Sequence, residues 1–336
     1  ALIDDIVALH RMGKEVILVS SGAIAVGRRK LDLAANKLTL PQQQAAAAIG
    51  QIRLAHAYQH LLGEHDINVA QILLTLADSE NRRRYLNARN TLAELLKLGV
   101  VPIVNENDTV ATHEIRFGDN DRLAARVAQM VAADTLILLS DIDGLYDKNP
   151  HQFNDATHIK EVHEIDANIK AMAGDVVSQY GSGGMITKIM AAEIAMQSGC
   201  QMAIAHGNVL HPIKALEEGA KATWFKPHTS PKKARKEWLK HRLQANGSIE
   251  IDQGAHKALT EGCSLLAAGI IHASGDFEKG DLIDVTHNNE RIARGLSQYS
   301  AKDTNTIKGQ HSRHIAQLTD DYSGEEIIHR DNLVLL

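Results

Sequence analysis

Cysteine is almost absent: Cys200 and Cys263 are the only two among 336 residues. They lie far apart with no CxxC spacing, which excludes a disulfide framework and a cysteine-based zinc site and fits a reducing cytoplasm. Aromatic residues make up 4% of the chain, so candidates for stacking on nucleic-acid bases are few. No apolar run approaches the length of a membrane span, and no secretory signal is visible. An excess of positive charge is also missing. Lys and Arg number 36 against 41 Asp and Glu, a formal net charge of -5, which argues against a dedicated nucleic-acid binder. What remains is ordinary for a soluble globular protein, 44% hydrophobic and 23% charged. The chain is long enough for two domains with a sizeable core.

The chain opens without Met at ALIDDIVALHRMG, where Leu2, Ile6 and Leu9 share a helical face. A strand follows at Glu15 to Ser20. An α/β domain rarely begins inside a helix, so a strand and loop are expected to precede Ala1. Further strand candidates are Val69–Leu74, Val100–Val104, Thr135–Leu139 and Met202–Ala205. Helical stretches lie between them at Pro41–Leu62, Asp78–Leu98, Asp121–Ala132 and Thr187–Ser198. Apolar runs separated by helix-length segments predict an α/β fold, a mostly parallel sheet sandwiched by helices. This first domain is expected over residues 1–224. A basic linker with a short helix, rich in Lys and Arg from Lys226 to Arg242, is expected over 225–246. From about Gly247 to Leu336, short alternating runs with glycine turns predict a small β-rich domain.

Ligands of such sheets bind beyond the carboxyl ends of the strands. Ser20-Ser21-Gly22, Asn105–Asp108 and Ser140-Asp141 each fall at such an end. The stretch NENDTVATHEIRFGDND, Asn105 to Asp121, places two carboxylate and carboxamide clusters around Arg116. Burying them is costly unless they bind something, such as a substrate ammonium group. A polar loop with a helix N-cap at Asn120 or Asp121 is the plainer alternative. Ser21-Gly22-Ala23 suits either an anion at a helix N-terminus or a tight turn. Gly181-Ser182-Gly183-Gly184-Met185-Ile186-Thr187-Lys188 opens another helix, and free backbone N–H groups with a lysine one turn in suit a polyphosphate. It lacks the Walker A spacing, and a glycine hinge is its alternative. Ser140-Asp141-Ile142-Asp143-Gly144 either lines a nucleotide pocket or forms an Asp-Gly turn. His56 and His60 stand at i,i+4 without a third ligand, so no metal site is assigned.

Together SSGAIAVG, NENDTVAT with EIRFGDND, LLSDIDGLYDKNP and GSGGMITK resemble, in order and approximate spacing, the amino-acid kinase family and within it the glutamate 5-kinases. The region from Gly247 resembles the PUA domain that many bacterial members carry. The resemblance implies phosphoryl transfer from ATP to the γ-carboxylate of L-glutamate, the first step of proline biosynthesis, with Mg²⁺ bridging the ATP phosphates. It implies that Ser21, Asp108 and Asn120 bind glutamate, and that Asp121 organises the active site. Ser140, Asp141 and Ser182, Gly183, Gly184, Met185, Ile186, Thr187 and Lys188 would bind ATP, Lys188 also neutralising the transferred phosphoryl group. A family lysine on an N-terminal strand has no counterpart here. Proline feedback inhibition and a homo-oligomer also follow from the resemblance alone. RNA binding through the PUA-like domain and the Lys226–Arg242 segment is the competing reading, as is a kinase of another small acid.

Overall fold

Alternating apolar runs and helical periods in the first 230 residues form helices packed on two main sheets, with a two-stranded β-ribbon beside them. The structure, a computed structural model, describes residues 1–33, 38–110, 120–173, 184–241 and 245–336. It divides into two units, Ala1–Ser230 and Pro231–Leu336. In the first, α1 (Leu2–Arg11) leads into β1 (Leu18–Val19), α2 (Ala23–Lys30), α3 (Leu40–Gly63) and β2 (Val69–Leu74). Next come α4 (Leu76–Glu80), α5 (Arg82–Lys97), β3 (Val101–Glu106), α6 (Asn120–Val131) and β4 (Thr135–Ser140). The short strands β5 (Leu145–Tyr146), β6 (His158–Ile159) and β7 (Glu161–Val162) precede α7 (Ala167–Met172), α8 (Met185–Gln197), β8 (Gln201–His206), α9 (Pro212–Glu217) and β9 (Ala222–Phe225).

Strands β1, β3 and β2 form one parallel sheet in the order β1-β3-β2. A second sheet runs β4-β8-β9-β7, parallel except where β9 meets β8. The mostly parallel α/β arrangement expected from the sequence is thus present, distributed over two sheets among the described residues. Helix α6 serves both. Its Leu123 and Val127 bury with Leu74, Leu92 and Val104, while Ala124, Ala125 and Ala128 bury with Leu138, Ile189, Met202 and Ile204. Fully burying each Leu or Val contributes about 1.5–3 kcal/mol, so two apolar faces hold this helix firmly.

Three local differences from the sequence reading have physical causes. Strand β3 does not stop at Val104 but continues through Asn105 and Glu106, both buried. The expected helix from Asp78 to Leu98 is broken at Asn81, whose side chain accepts from Arg84 N and restarts the helix as α5. Phe225, placed at the start of the linker, is fully buried in β9, paired with Val162 and Met202. Helices α2 and α3 cross at backbone contact: a Cβ on Gly50 would lie 1.7 Å from Ala23 O, and one on Gly27 1.8 Å from Ala46 O. Only glycine permits that approach.

The second unit begins with α10 (Pro231–His241), followed by β10 (Gly247–Ile251), α11 (Gln253–Thr260), β11 (Leu265–Leu266), β12 (Ile270–Gly275), β13 (Leu282–His287) and β14 (Glu290–Leu296). Helices α12 (Ala301–Ile307) and α13 (Ser312–Leu318), then β15 (Glu326–Ile328) and β16 (Leu333–Leu335), complete it. A five-stranded sheet, β12-β10-β13-β14-β16, encloses a core of Ile249, Ile251, Ile283, Val285 and Phe277. Helix α10 packs on β14 and β16.

Candidate active site

Strands β1 and β3 pair with Val19 beside Val104, and Ser20 N donates to Val104 O at 2.8 Å. Ser20 therefore stands beside Asn105 at the carboxyl edge of the sheet. The first residue of α6 closes this corner: Asn120 Nδ2 donates to Ser20 O at 3.0 Å and to Asn105 Oδ1 at 3.2 Å. Asn105 Oδ1 also accepts from Glu106 N at 2.9 Å, and Asn105 Nδ2 donates to Gln51 Oε1 at 2.8 Å. Of the polar residues expected at these strand ends, Ser20 and Asn105 are joined there in a buried hydrogen-bond network. Of the residues expected to bind substrate, Asn120 is a member of it. Ser21 is exposed one residue beyond Ser20. Asp108 is half-buried two residues beyond β3, and burial pushes its carboxyl up to about 6. A cation placed beside so desolvated a carboxylate would lower it again by favouring the charged form.

The second residue of α6 faces another partner. Asp121 Oδ2 accepts from Lys188 Nζ at 3.0 Å and from Thr187 Oγ1 at 2.8 Å. Lys188 is 8% exposed and lies one turn into α8, whose N-cap is Gly184. Thr187 Oγ1 also lies 2.8 Å from Gly184 O, so the hydroxyl ties the start of α8 to the start of α6. Met185 and Ile186 are half-buried in the first turn of α8. Ser182 and Gly183, expected to bind phosphate, lie outside the described residues, as do Arg116 and Asp119. The N-cap of α8, Gly184, has no side chain to cap the helix, and a helix N-terminus favours anions.

Ser140 ends β4 and Asp141 follows it, with Ser140 Oγ donating to Asp141 Oδ1 at 3.1 Å. Beyond them Tyr146 OH donates to Asp143 Oδ1 at 2.7 Å, and Lys221 Nζ donates to Tyr146 OH at 2.5 Å. Against the opposing effect of burial, the Tyr146 hydroxyl and Lys221 hold the Asp143 carboxyl below the ordinary carboxylate range. Gly144 has φ +152°, and a Cβ there would meet His158 Nε2 at 2.4 Å and Thr223 Oγ1 at 2.5 Å. Close packing, in addition to the turn, therefore demands glycine. Lys221, Thr223 and Gln51 escaped the sequence reading. Gln51 lies within the expected helix Pro41–Leu62 but carries no motif there, and each of the three meets its partner at least 54 residues away in the chain.

The amino acid kinase family matches residues 1–206, and the PUA domain matches residues 247–319. The chain is 56% identical to the glutamate 5-kinase of Paramagnetospirillum magneticum over 98% of this chain and 90% of that protein. It is 52% identical to the glutamate 5-kinase of Rhodospirillum rubrum over 100% of this chain and 90% of that protein. A match of 53% to glutamate 5-kinase 1 of Rhizobium meliloti also spans 100% of the chain and 86% of the relative. The chain belongs to the amino acid kinase family, among its glutamate 5-kinases, and ends in a PUA domain.

Proposed function

We propose that the chain transfers the γ-phosphoryl group of ATP to the γ-carboxylate of L-glutamate, opening proline biosynthesis. The observation that carries this reading is the Asp121–Lys188 pair, which joins the N-terminal turns of α6 and α8. A carboxylate is already a competent nucleophile at neutral pH, so the reaction needs positioning and charge neutralisation rather than a general base. Lys188 supplies a positive charge beside the phosphate-binding turn, and Asp121 fixes where that charge sits. Ser21, Asp108 and Asn120 hold glutamate, with the Asp108 carboxylate facing the substrate ammonium. Ser140, Asp141 and the turn from Ser182 to Lys188 hold ATP. Mg²⁺ carried on the ATP phosphates would supply further neutralisation of their charge. Asp121 Oδ2 accepts from Lys188 and Thr187, so this carboxylate serves to hold the lysine.

The test is ADP release with and without L-glutamate, with aspartate and acetylglutamate as competing acceptors. Turnover confined to glutamate supports the proposal, and glutamate-independent hydrolysis alone refutes it. In keeping with this reading we place the protein in the cytoplasm, as a homo-oligomer subject to proline inhibition. Among the described residues no helix is long and apolar enough to cross a membrane. RNA contact by the second unit is a separate reading, supported by Lys232, Lys236 and Lys240, which recur every four residues on the exposed side of α10. Salt-sensitive RNA retention that disappears when these lysines are replaced would support it.

A further inference from the structure

The network behind Asn120 has a polarity that can be read atom by atom. The backbone N–H of Glu106 can only donate, so the Asn105 atom it meets is Oδ1. Asn105 therefore presents Nδ2 to Gln51, which must answer with Oε1. At the other end Asn120 faces two acceptors, Ser20 O and Asn105 Oδ1, and must turn Nδ2 to both. Both hydrogens of that amide are then committed, and the atom Asn120 has to offer a ligand is Oδ1. Asn105 is 1% exposed and Gln51 9%, so water cannot readily substitute for either partner.

We propose that Gln51 and Asn105 are positioning residues for the amino-acid substrate. Resting on the function proposed above, the inference is that their buried hydrogen-bond chain fixes the flip of the Asn120 amide. Asn120 thereby presents an acceptor to the substrate and selects a donor, the ammonium group. Gln51 is required only as an acceptor, so a carboxylate at this position should serve the network and an apolar side chain should not.

The experiment compares steady-state kinetics of the full chain with Gln51→Met, close in volume, and Gln51→Glu, which keeps the acceptor. Gln51→Met should raise the KM for glutamate about fivefold to tenfold, the effect of one lost hydrogen bond. The KM for ATP should stay within about twofold, and Gln51→Glu should keep the glutamate KM within about threefold. An unchanged glutamate KM in Gln51→Met, or equal rises for both substrates, overturns the inference. Should Gln51→Met fail to fold, Gln51→Glu decides alone, since a glutamate-specific rise in KM there contradicts the acceptor role. Absence of glutamate-dependent turnover in the unsubstituted chain overturns the function itself, an outcome distinct from either.

Discussion

Replacing Asp121 by Asn removes one negative charge 3.0 Å from Lys188 Nζ and changes the side-chain volume very little. The two side chains are 19% and 10% exposed, so the pair lies largely out of water. Breaking a buried pair by removing one partner costs about 3–5 kcal/mol. The residual exposure of Asp121 and the amide oxygen that Asn retains place this substitution near the bottom of that range, about 3 kcal/mol. The catalytic effect should be larger in proportion. Losing one preorganised electrostatic contact to a developing anion lowers kcat by about 10²–10³, and Lys188 without its anchor is such a loss. The KM for glutamate should rise by no more than about threefold, because Asn120 keeps its own partners, Ser20 and Asn105. Initial rates of ADP release at saturating ATP and glutamate measure the loss in kcat, and thermal unfolding measures the stability cost. The double variant with Lys188→Met completes the cycle. If Asp121 acts through Lys188, adding Asp121→Asn to Lys188→Met should lower kcat little further. A change confined to the KM for glutamate, or fully additive losses in the double variant, would refute the reasoning.

Asp108 links affinity to pH. Its carboxyl is raised by burial from 3.8 to about 6, so the ligand-free fold gains stability where the group is protonated and loses it as pH rises through about 6. Binding an ammonium group needs the ionised form. The KM for glutamate should therefore climb as pH falls through about 6, and Asp108→Asn should remove that inflection together with much of the affinity. A flat KM profile between pH 5 and 7 in the unsubstituted chain, on a scale of about tenfold per unit, would contradict this. At the crossing of α2 and α3, Gly50→Ala would set a Cβ 1.7 Å from Ala23 O. The helices must part, at a cost of about 3 kcal/mol, visible as a drop of several degrees in Tm; an unshifted Tm would mean the crossing is looser than described.

Much of the fold was legible in residue patterns. Strand β2 has the predicted bounds, Val69–Leu74, because an apolar run of strand length between helical periods has few other readings. The end of β3 was not legible: Asn105 and Glu106 look like loop residues, and burying Asn105 depends on partners such as the Gln51 amide, 54 residues away, and the Asn120 amide, 15 residues away. The break at Asn81 has no Gly or Pro to announce it and arises from a side-chain cap. Strands β5, β6 and β7 have two residues each, too few for an alternation to register. At the site, Asp121 and Lys188 stood out through the family resemblance, since no local spacing connects residues 67 apart. The raised Asp108 carboxyl and the direction of the Asn120 amide depend on surroundings that a linear pattern does not contain.

Helix α6 is gripped by the cores of both sheets, and its first two residues face different partners. Adjacent residues on a helix point about 100° apart. Asn120 thus looks toward the amino-acid corner and Asp121 toward the lysine of α8, with no rotatable linker between the two tasks. Any rocking of one sheet against the other carries both residues on one rigid body. The spacing between the Asn120 amide and the Asp121–Lys188 pair is then set by the pitch of a helix.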